Sequence, residues 1–263
     1  MSFDADASAR RLDALRRAGE PTGALPQELK PRDVGEGVAM QRALAALRGA
    51  VPPAGFKIGA TAKAMQDYLG LAGPAAGFME TANLHQSGAS LRLASFRRPG
   101  VECELGVRLA RALPPGPCDA ATARAAVGDV FPAIELVENR YGDPPAGDLR
   151  SVGTPTLIAD QVFHAAAVLG APFDWAAADL AALEGRIALD GVEQARGTGA
   201  ALLGHPFAAL AWLAGSEIAA AFAGLLAGQV VMLGSVTLPV WLTGPGVVTV
   251  QFGALPPVTL RVE

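Results

Sequence analysis

One stretch, residues 101–109, constrains the fold of this chain more than any other. Apolar residues and acids alternate in it with a period of two, and a β-strand sends successive side chains to opposite faces. Glu102 and Glu104 are therefore expected on one face of a strand, with Cys103 on the other, half-buried face. Neighbouring acids repel each other unless a cation lies between them. A divalent metal site is one interpretation, and a plain amphipathic strand is the other, because this spacing of acids is common.

A second strand with an acid is predicted over residues 131–139. Glu135 has aliphatic neighbours on both sides there, and a continuous apolar run is typical of a strand covered on both faces. A buried carboxylate is costly unless it is paired or binds a metal, so Glu135 is the natural partner of the two acids in the first strand. Three carboxylates favour Mg²⁺ or Mn²⁺ over zinc. The alternative is a buried ion pair between Glu135 and an arginine such as Arg108 or Arg140.

Lys57 has an unusual setting for a lysine. It lies between glycines and large apolar residues in residues 55–59, of which we predict residues 56–59 to form a short strand. There it could hold a substrate carboxylate or, with a pKa lowered by a metal and by burial, move a proton. The alternative is a lysine on an edge strand, whose stem covers apolar surface while its ammonium group stays in water.

Composition narrows the class of partner. The chain has 263 residues and a net charge of -4. No basic stripe is available to release counterions from phosphates, so nucleic acid is not expected as a partner and small molecules are. Cys103 and Cys118 match neither a disulfide framework nor a zinc spacing, and we expect free thiols. Acids stand near the start of the chain, where a secretory signal would carry positive charge, so the expected location is cytoplasmic.

The order of predicted elements indicates an α+β chain. Helical periodicity covers residues 6–18 and 33–48, and strands separated by turns dominate after residue 88. We predict a helical segment over residues 1–50 and a β-rich domain over residues 51–263. The strands expected after residue 88 are 90–93, 101–109, 130–137, 163–169, 186–195 folded over an Asp190-Gly191 turn, 229–233, 247–252 and 258–262.

The weakly charged stretch over residues 206–228 allows two interpretations. Its length is about right for a membrane span. Gly215-Ser216-Glu217 interrupts it, however, with a good helix start. Two buried helices joined by a tight turn are therefore favoured, and no membrane partner is expected.

Five motifs follow one another along the chain and resemble one known family when taken together. They are Phe56-Lys57-Ile58-Gly59-x-Thr61, Val101-Glu102-x-Glu104, Pro132-Ala133-Ile134-Glu135, Ile158-Ala159-Asp160-Gln161 and Leu203-Gly204-His205-Pro206. None is specific alone. Jointly and in this order they resemble the 2-keto-4-pentenoate hydratases of the fumarylacetoacetate hydrolase superfamily, over nearly the whole chain from residue 41 to residue 262.

The resemblance implies a fold and an assembly. The fold would be a mixed β-rich core of rolled sheets, like the C-terminal part of fumarylacetoacetate hydrolase, with N-terminal helices and a buried helical pair. Residues 51–263 would then form the catalytic domain. A homo-oligomer is usual for the family and is expected here.

The resemblance also implies an activity and a site. The activity would be the metal-dependent hydration of a 2-hydroxy-2,4-dienoate to a 4-hydroxy-2-oxo acid, a step in the breakdown of aromatic compounds. Glu102, Glu104 and Glu135 match the metal carboxylates of the family, with Mg²⁺ or Mn²⁺ as cofactor, and Lys57 matches its active-site lysine. The residues expected to contact the substrate are Lys57, Gly77, Gln161 and Ser235.

Departures from the family pattern keep other functions open. Family members often have an acid in a Pro-Asp-x-Gly turn, and the equivalent turn here is Pro74-Ala75-Ala76-Gly77, without it. Gln229 and Leu233 replace a common Asp and Thr, and Leu233 is expected to alter the pocket. Relatives that decarboxylate 2-oxo dicarboxylates or hydrolyse acylpyruvates share the carboxylate triad. A non-catalytic metal-binding or ligand-binding member is the alternative of another class.

The three histidines are not expected to be catalytic. His85 is predicted in a solvated loop. His205 is predicted to make a structural hydrogen bond at a helix entry. His164 either lines the pocket or is a half-buried imidazole with its hydrogen bonds satisfied.

Overall fold

A computed structural model describes residues 3–141 and 152–263 of the chain. In these residues the helices are α1 Ala5–Arg17, α2 Val34–Leu47, α3 Lys63–Leu69, α4 Ala120–Ala126, α5 Thr154–Ala159, α6 Pro206–Ala214 and α7 Glu217–Ala221. The strands are β1 Gly55–Gly59, β2 Ala75–Met79, β3 Leu84–Gln86, β4 Ala89–Leu91, β5 Pro99–Leu109, β6 Val127–Glu138, β7 His164–Leu169, β8 Glu184–Leu189, β9 Val192–Thr198, β10 Val230–Ser235, β11 Val240–Trp241, β12 Gly246–Phe252 and β13 Val258–Val262.

The strands form two sheets. The larger has the order β2-β1-β10-β5-β6-β7-β3, with β11 paired to the outer part of β5. It mixes parallel and antiparallel pairs and curls into a half-barrel. The smaller sheet has the order β4-β13-β12-β8-β9, and its strands β12 and β13 pack against β6. The α+β fold with a rolled, β-rich core is therefore confirmed.

The two faces of the larger sheet carry different side chains, because residues paired across neighbouring strands lie on the same face. Phe56, Leu105 and Ile134 lie on one face and belong to the main apolar cluster. The other face carries Lys57 and the three predicted metal carboxylates. A smaller apolar cluster fills the rest of that face: Met79, Phe131, Ala133, Ala167, Leu169, Val230 and Met232. Both faces of β6 are thus covered, as its apolar run predicts.

The N-terminal helices pack onto this core. Asp4 caps α1 and Asp33 caps α2, each carboxylate accepting a backbone N–H of the first turn. Leu12, Leu15 and Leu44 are fully buried in the main apolar cluster. Gln41 also fastens α2 to β2, because its side-chain oxygen accepts the N–H of Phe78 at 3.0 Å. A domain boundary at residue 50 stays a prediction.

The structure differs from the sequence prediction at several short elements. Strands β2, β3 and β11 and helices α4 and α5 were not expected. The predicted turn Pro74-Ala75-Ala76-Gly77 is wrong from Ala75 onward, because β2 begins there and pairs antiparallel with β1. His85 lies half-buried on β3 and not in a solvated loop. The hairpin at Asp190-Gly191 is confirmed, and both residues have positive φ as a two-residue turn requires.

The stretch over residues 206–228 contains the predicted pair of helices, α6 and α7. Ser216 caps α7 by accepting the N–H of Ala219. The apolar side of α6 is buried, including Phe207, Leu210 and Leu213. Within the described ranges, no helix combines the length and the apolar character that crossing a bilayer needs.

Candidate active site

The pairing of β5 with β6 brings the three predicted carboxylates together. Glu102 lies directly opposite Glu135 in the antiparallel register, and Glu104 pairs with Ala133 on the same face. One carboxylate oxygen from each of the three residues lies within 4.8 Å of the others. Glu104 and Glu135 are fully buried, and Glu102 is half-buried. The alternation in residues 101–109 and the acid in β6 thus converge on one cluster.

The cluster has the donor atoms that a hard divalent cation needs. Glu104 Oε2 accepts the N–H of Gly234 at 3.1 Å. Within the described residues, the buried atoms Glu104 Oε1 and Glu135 Oε2 have no hydrogen-bond partner. Buried carboxylate oxygens without a donor are costly, and oxygen ligands are those that Mg²⁺ and Mn²⁺ prefer. The three carboxylates therefore fit a divalent metal.

A bulge in β10 directs the Gly234 N–H to Glu104. The pairing of β10 with β5 shifts register between Met232 and Ser235. Gly234 has φ +108, and a Cβ there would lie 2.7 Å from the side chain of Thr61. Only glycine fits this position without strain.

The electrostatics of the cluster follow from burial and mutual repulsion. Burial and the charge of Glu135 raise the pKa of Glu102 to about 8. Burial and the charges of Glu135 and Glu102 raise the pKa of Glu104 well above its usual range. Burial would raise the pKa of Glu135 too, but Lys57 and His164 outweigh it and hold that pKa below its ordinary value. Such a cluster is electrostatically incomplete without further positive charge.

Lys57 lies beside the carboxylates on the same face. Its Nζ is 3.3 Å from Glu135 Oε1 and donates a hydrogen bond of 2.8 Å to the carbonyl oxygen of Val162. The side chain is only 2% exposed, so the alternative of a surface lysine is wrong. Burial would lower the pKa of Lys57, but Glu135, Glu102 and Glu104 together outweigh burial and raise it. The expected lowering of the Lys57 pKa is therefore wrong for the protein groups by themselves. The neighbouring carboxylates hold Lys57 as an ammonium ion.

Glu135 pairs with Lys57 and His164 and not with the arginines considered from the sequence. His164 Nδ1 lies 2.9 Å from Glu135 Oε1, and burial lowers the pKa of His164. The neutral ring therefore donates from Nδ1 to the carboxylate. Arg108 lies on the exposed side, 3.9 Å from Asp129, while Arg140 pairs with Glu138 and Asp160. His164 does not line the cavity, and it is buried with no hydrogen-bond partner for Nε2 among the described residues, so both sequence interpretations are wrong. Its ring orients Glu135 through Nδ1.

An unusual turn presents the carbonyl that holds Lys57. Gln161, Val162 and Phe163 have φ values of 59°, 49° and 68°, a left-handed region that non-glycine residues rarely occupy and β-branched residues almost never do. Such residues cost about 1–3 kcal/mol each and persist only where the surroundings fix them. We call this segment, Gln161–Phe163, the left-handed turn. Nothing in the sequence pattern indicated it.

Arg16 of α1 fixes the left-handed turn. Its Nε donates to Asp160 Oδ1 at 2.6 Å, its Nη1 to Gln161 Oε1 at 2.6 Å and its Nη2 to the Asp160 carbonyl at 2.8 Å. The Arg16 side chain is 7% exposed, and Asp160 is fully buried. Arg140 Nη1 lies 3.6 Å from the other Asp160 oxygen. The N-terminal helix thus supports the segment that contacts Lys57.

Replacing Arg16 with methionine is expected to lower the free energy of unfolding by about 3 kcal/mol. Breaking a buried ion pair costs about 3–5 kcal/mol because the remaining charge is left buried, and Arg140 keeps the value at the lower end. Urea unfolding measures the loss. The matched control is Arg17→Met on the next position of α1, where the side chain is 72% exposed and a change within about 0.5 kcal/mol is expected. Equal effects in both variants would contradict the support assigned to Arg16.

Two predicted substrate contacts lie outside the cavity. Gln161 is buried, accepts from Arg16 and donates from Nε2 to the Phe78 carbonyl at 2.7 Å. Gly77 packs against it, and a Cβ at Gly77 would lie 2.7 Å from the Gln161 carbonyl oxygen. Gly77 lies opposite Lys57 in the pairing of β1 with β2, and neither Gly77 nor Gln161 is part of the cavity wall. Direct contact with a substrate stays a prediction for both.

A cavity of about 280 Å³ adjoins the cluster at Glu102. Lys57, Glu102 and Ser235 are part of its wall. The Ser235 hydroxyl is shared between the Cys103 carbonyl at 3.3 Å and the Thr237 hydroxyl at 3.4 Å. The structure therefore places the ammonium group, one cluster carboxylate and a hydroxyl in one small-molecule site.

The remaining sequence departures have structural roles. Leu233 is fully buried in the main apolar cluster and does not line the cavity, so its expected effect on the pocket is wrong. Gln229 ties two loops together by donating to the Pro53 carbonyl and accepting from the N–H of Leu226. His205 caps α6 by accepting the N–H of Phe207 at 3.0 Å, as expected of a structural histidine. Both cysteines are free thiols, as predicted.

Comparison with known proteins places the chain in a family. Residues 58–263 match the model of the fumarylacetoacetate (FAA) hydrolase C-terminal family. The chain belongs to this family. The match covers every strand of both sheets except the beginning of β1, together with all three carboxylates of the cluster.

Several named enzymes are similar to this chain in sequence. A 2-keto-4-pentenoate hydratase of Burkholderia vietnamiensis is 36% identical over 69% of this chain and 67% of the relative. A 2-oxo-hept-4-ene-1,7-dioate hydratase of Escherichia coli is 29% identical over 88% of each chain. A 4-oxalocrotonate decarboxylase of a Pseudomonas species is 31% identical over 91% of this chain and 90% of the relative.

Solved structures share the fold. The 4-oxalocrotonate decarboxylase of Pseudomonas putida G7, complexed with magnesium and adipate, superposes with a TM-score of 0.86 over 98% of this chain and 97% of that chain, at 23% identity. The same enzyme is also known with calcium and acetate. A fumarylpyruvate hydrolase of Pseudomonas aeruginosa with Mn²⁺ and pyruvate has a TM-score of 0.60 over 79% of this chain and 88% of that chain, at 14% identity.

Proposed function

We propose that this protein is a divalent-metal-dependent hydratase that adds water to a 2-hydroxy-2,4-dienoate and yields a 4-hydroxy-2-oxo acid. The observation that carries the proposal is the buried cluster of Glu102, Glu104 and Glu135 beside the Lys57 ammonium group, at the wall of a small cavity. Hydratases are prominent among the similar relatives. In aromatic catabolism such dienoates arise after ring cleavage, as the resemblance implies.

Mg²⁺ or Mn²⁺ is the proposed cofactor, held by the three carboxylates. Solved proteins of similar structure are complexed with calcium, magnesium or manganese. The oxygens of Glu104 and Glu135 that have no hydrogen-bond partner among the described residues suit an ion of this class. When bound, the ion would supply Lewis-acid stabilisation of the enolate charge at the C2 oxygen of the substrate. Lys57 and His164 orient the carboxylate of Glu135, and the N–H of Gly234 orients the carboxylate of Glu104.

Lys57 is the proposed catalytic residue. A lysine ammonium group has three donors. One goes to the Val162 carbonyl and one toward Glu135, which leaves the third for a ligand in the cavity. It would hold the substrate carboxylate or relay the proton during tautomerisation, when the C2 hydroxyl loses a proton and C5 gains one. Water then adds across C3 and C4, with its oxygen bonding to C4 and its proton going to C3.

Water activation has a short list of candidates. The acid expected in a Pro-Asp-x-Gly turn is absent, and Ala75 is buried on β2 beside Gly59. Among the described residues that line the cavity, the ionisable groups are Lys57, Glu102 and Arg196. Glu102 belongs to the cluster as a proposed metal ligand and Lys57 lies beside it, so we assign proton exchange with water to Lys57.

A substrate panel tests the proposed reaction. The protein with Mg²⁺ is incubated with a 2-hydroxy-2,4-dienoate, an oxalocrotonate and an acylpyruvate, while absorbance and product mass are followed. Loss of the dienoate absorbance with the mass gain of one water is the expected result. Two results would contradict hydration as the reaction of this protein. One is release of carbon dioxide from the dicarboxylate, the activity named for one relative. The other is cleavage of the acylpyruvate. No turnover of any compound would favour a non-catalytic binding protein.

The cytoplasm and a homo-oligomeric state complete the proposal. Both come from the sequence and the family resemblance. Light scattering after size-exclusion chromatography measures the mass in solution, and a monomer would contradict the proposed assembly.

A further inference from the structure

Much of the cavity wall is apolar. It includes Met65, Leu69, Leu238, Pro239 and Trp241. Leu238 is 63% exposed and Trp241 is 40% exposed, so these large apolar side chains stand at the opening of the cavity. When a ligand covers exposed apolar groups that line its site, the removal of apolar surface from water makes binding more favourable.

The cavity is larger than the simplest dienoate requires. Its volume of about 280 Å³ approaches the lower limit of about 300 Å³ for sites that bury drug-sized ligands. Unsubstituted 2-hydroxypenta-2,4-dienoate has only eight non-hydrogen atoms. With its carboxylate at Lys57, space beyond C5 remains next to the apolar wall.

The second cationic side chain of the cavity wall is already paired with carboxylates of the protein. In the described part of the chain, Arg196 is the cationic side chain of the wall other than Lys57. Its Nε and Nη2 donate to the two oxygens of Glu193 at 2.7 and 2.9 Å, and its Nη1 lies 3.4 Å from Glu184. The bidentate pair occupies the Nε–Nη2 edge of the guanidinium, and Glu184 lies at Nη1, so two carboxylates already balance its charge. A second substrate carboxylate would compete with Glu193 and Glu184 for Arg196 or lie unpaired against the apolar wall.

We propose that the substrate is a 2-hydroxy-2,4-dienoate that carries an apolar substituent, alkyl or aryl, beyond C5 and not a second carboxylate. This inference rests on the proposed function, because it places the dienoate carboxylate at the Lys57 end. The apolar wall selects the substituent by the area it covers, and the paired Arg196 disfavours a terminal charge. Leu238 and Trp241 are the specificity-determining residues.

Saturated 2-oxo acids test the inference without turnover, because they have no double bond to hydrate. Calorimetry in Mg²⁺ compares 2-oxopentanoate, 2-oxoheptanoate and 2-oxoheptanedioate. Each buried methylene is worth about fourfold in affinity, so 2-oxoheptanoate, with two more methylenes, should bind about sixteenfold tighter than 2-oxopentanoate. It should also bind at least tenfold tighter than the diacid. Equal or tighter binding of the diacid, equal binding of the two monoacids, or no binding of any of the three would overturn the inference.

Substitutions in the wall locate the selectivity. Trp241→Ala and Leu238→Ala should each reduce the preference for 2-oxoheptanoate over 2-oxopentanoate to within about threefold. Glu193→Gln should free Arg196 and improve binding of the diacid severalfold. Leu47→Ala is the control, since Leu47 is an exposed side chain on α2 that lies outside the cavity. Unchanged selectivity in both wall variants would overturn the assignment. Selective binding without turnover of any dienoate would support the apolar ligand preference of the cavity but refute the proposed function and, with it, a dienoate as the substrate.

Discussion

Lys57→Met is expected to lower kcat/KM for the dienoate by about a hundredfold or more, the usual scale for a lost proton-transfer or charge-stabilising group. Methionine keeps the length and the apolar stem of the side chain but removes the ammonium group. That group is the buried cation of the cavity wall, and one of its donors is free for a ligand. The expected loss therefore falls on the chemical step and on binding of the substrate carboxylate.

Metal binding separates this role from a structural one. A lysine next to the cluster repels a divalent cation, so Mg²⁺ affinity should be kept or increased in Lys57→Met. Unfolding in Mg²⁺ shows whether the variant is folded under assay conditions. Lys63→Met is the matched control, because the Lys63 side chain is 75% exposed and forms an ion pair with Asp67 on the surface of α3. Activity of Lys57→Met within about threefold of the wild type would remove Lys57 from the mechanism.

The sequence predicted the cluster because its determinants are local. The alternation in residues 101–109 places Glu102 and Glu104 on one face, and the apolar run around Glu135 requires a buried neighbour strand. Pairing these two strands is enough to bring the carboxylates together, as the register of β5 and β6 does. The glycines and apolar residues around Lys57 suggested its role, the family resemblance favoured that role over a surface lysine, and the structure gives its contacts.

The supporting contacts could not be predicted in the same way. Arg16 reaches Asp160 across 144 positions of sequence, and no local pattern encodes such a pair. The left-handed turn contains Val162, whose residue type argues against positive φ. Tertiary contacts from Arg16 and Lys57 override that preference. Functional support of this kind is where local sequence rules fail.

Ala75 shows the opposite failure, a local rule applied where tertiary structure decides. Pro74 and Gly77 are residue types that are typical of a turn, yet β2 begins at Ala75. The small side chains of Ala75, Ala76 and Gly77 allow this strand to pack closely on β1 and on the left-handed turn. The glycine is needed for that close approach and not for a turn.

The account depends most on the three carboxylates acting as one metal site. Glu102→Gln and Glu135→Gln keep the volume of each side chain but replace a charged oxygen ligand with a much weaker one. Each substitution is expected to weaken Mg²⁺ or Mn²⁺ binding by at least about a hundredfold, because ligand charge sets the affinity for hard cations. Glu217→Gln, at an exposed acid on α7, is the control and should bind like the wild type.

Calorimetric titration of Mg²⁺ and Mn²⁺ into the wild type and these three variants is the most direct measurement, with circular dichroism to show that each variant is folded. The account predicts saturable binding of one ion per chain in the wild type and in Glu217→Gln, and its loss in both cluster variants. Undiminished affinity in Glu102→Gln and Glu135→Gln, or no binding by the folded wild type, would contradict the metal centre and the hydration chemistry that depends on it.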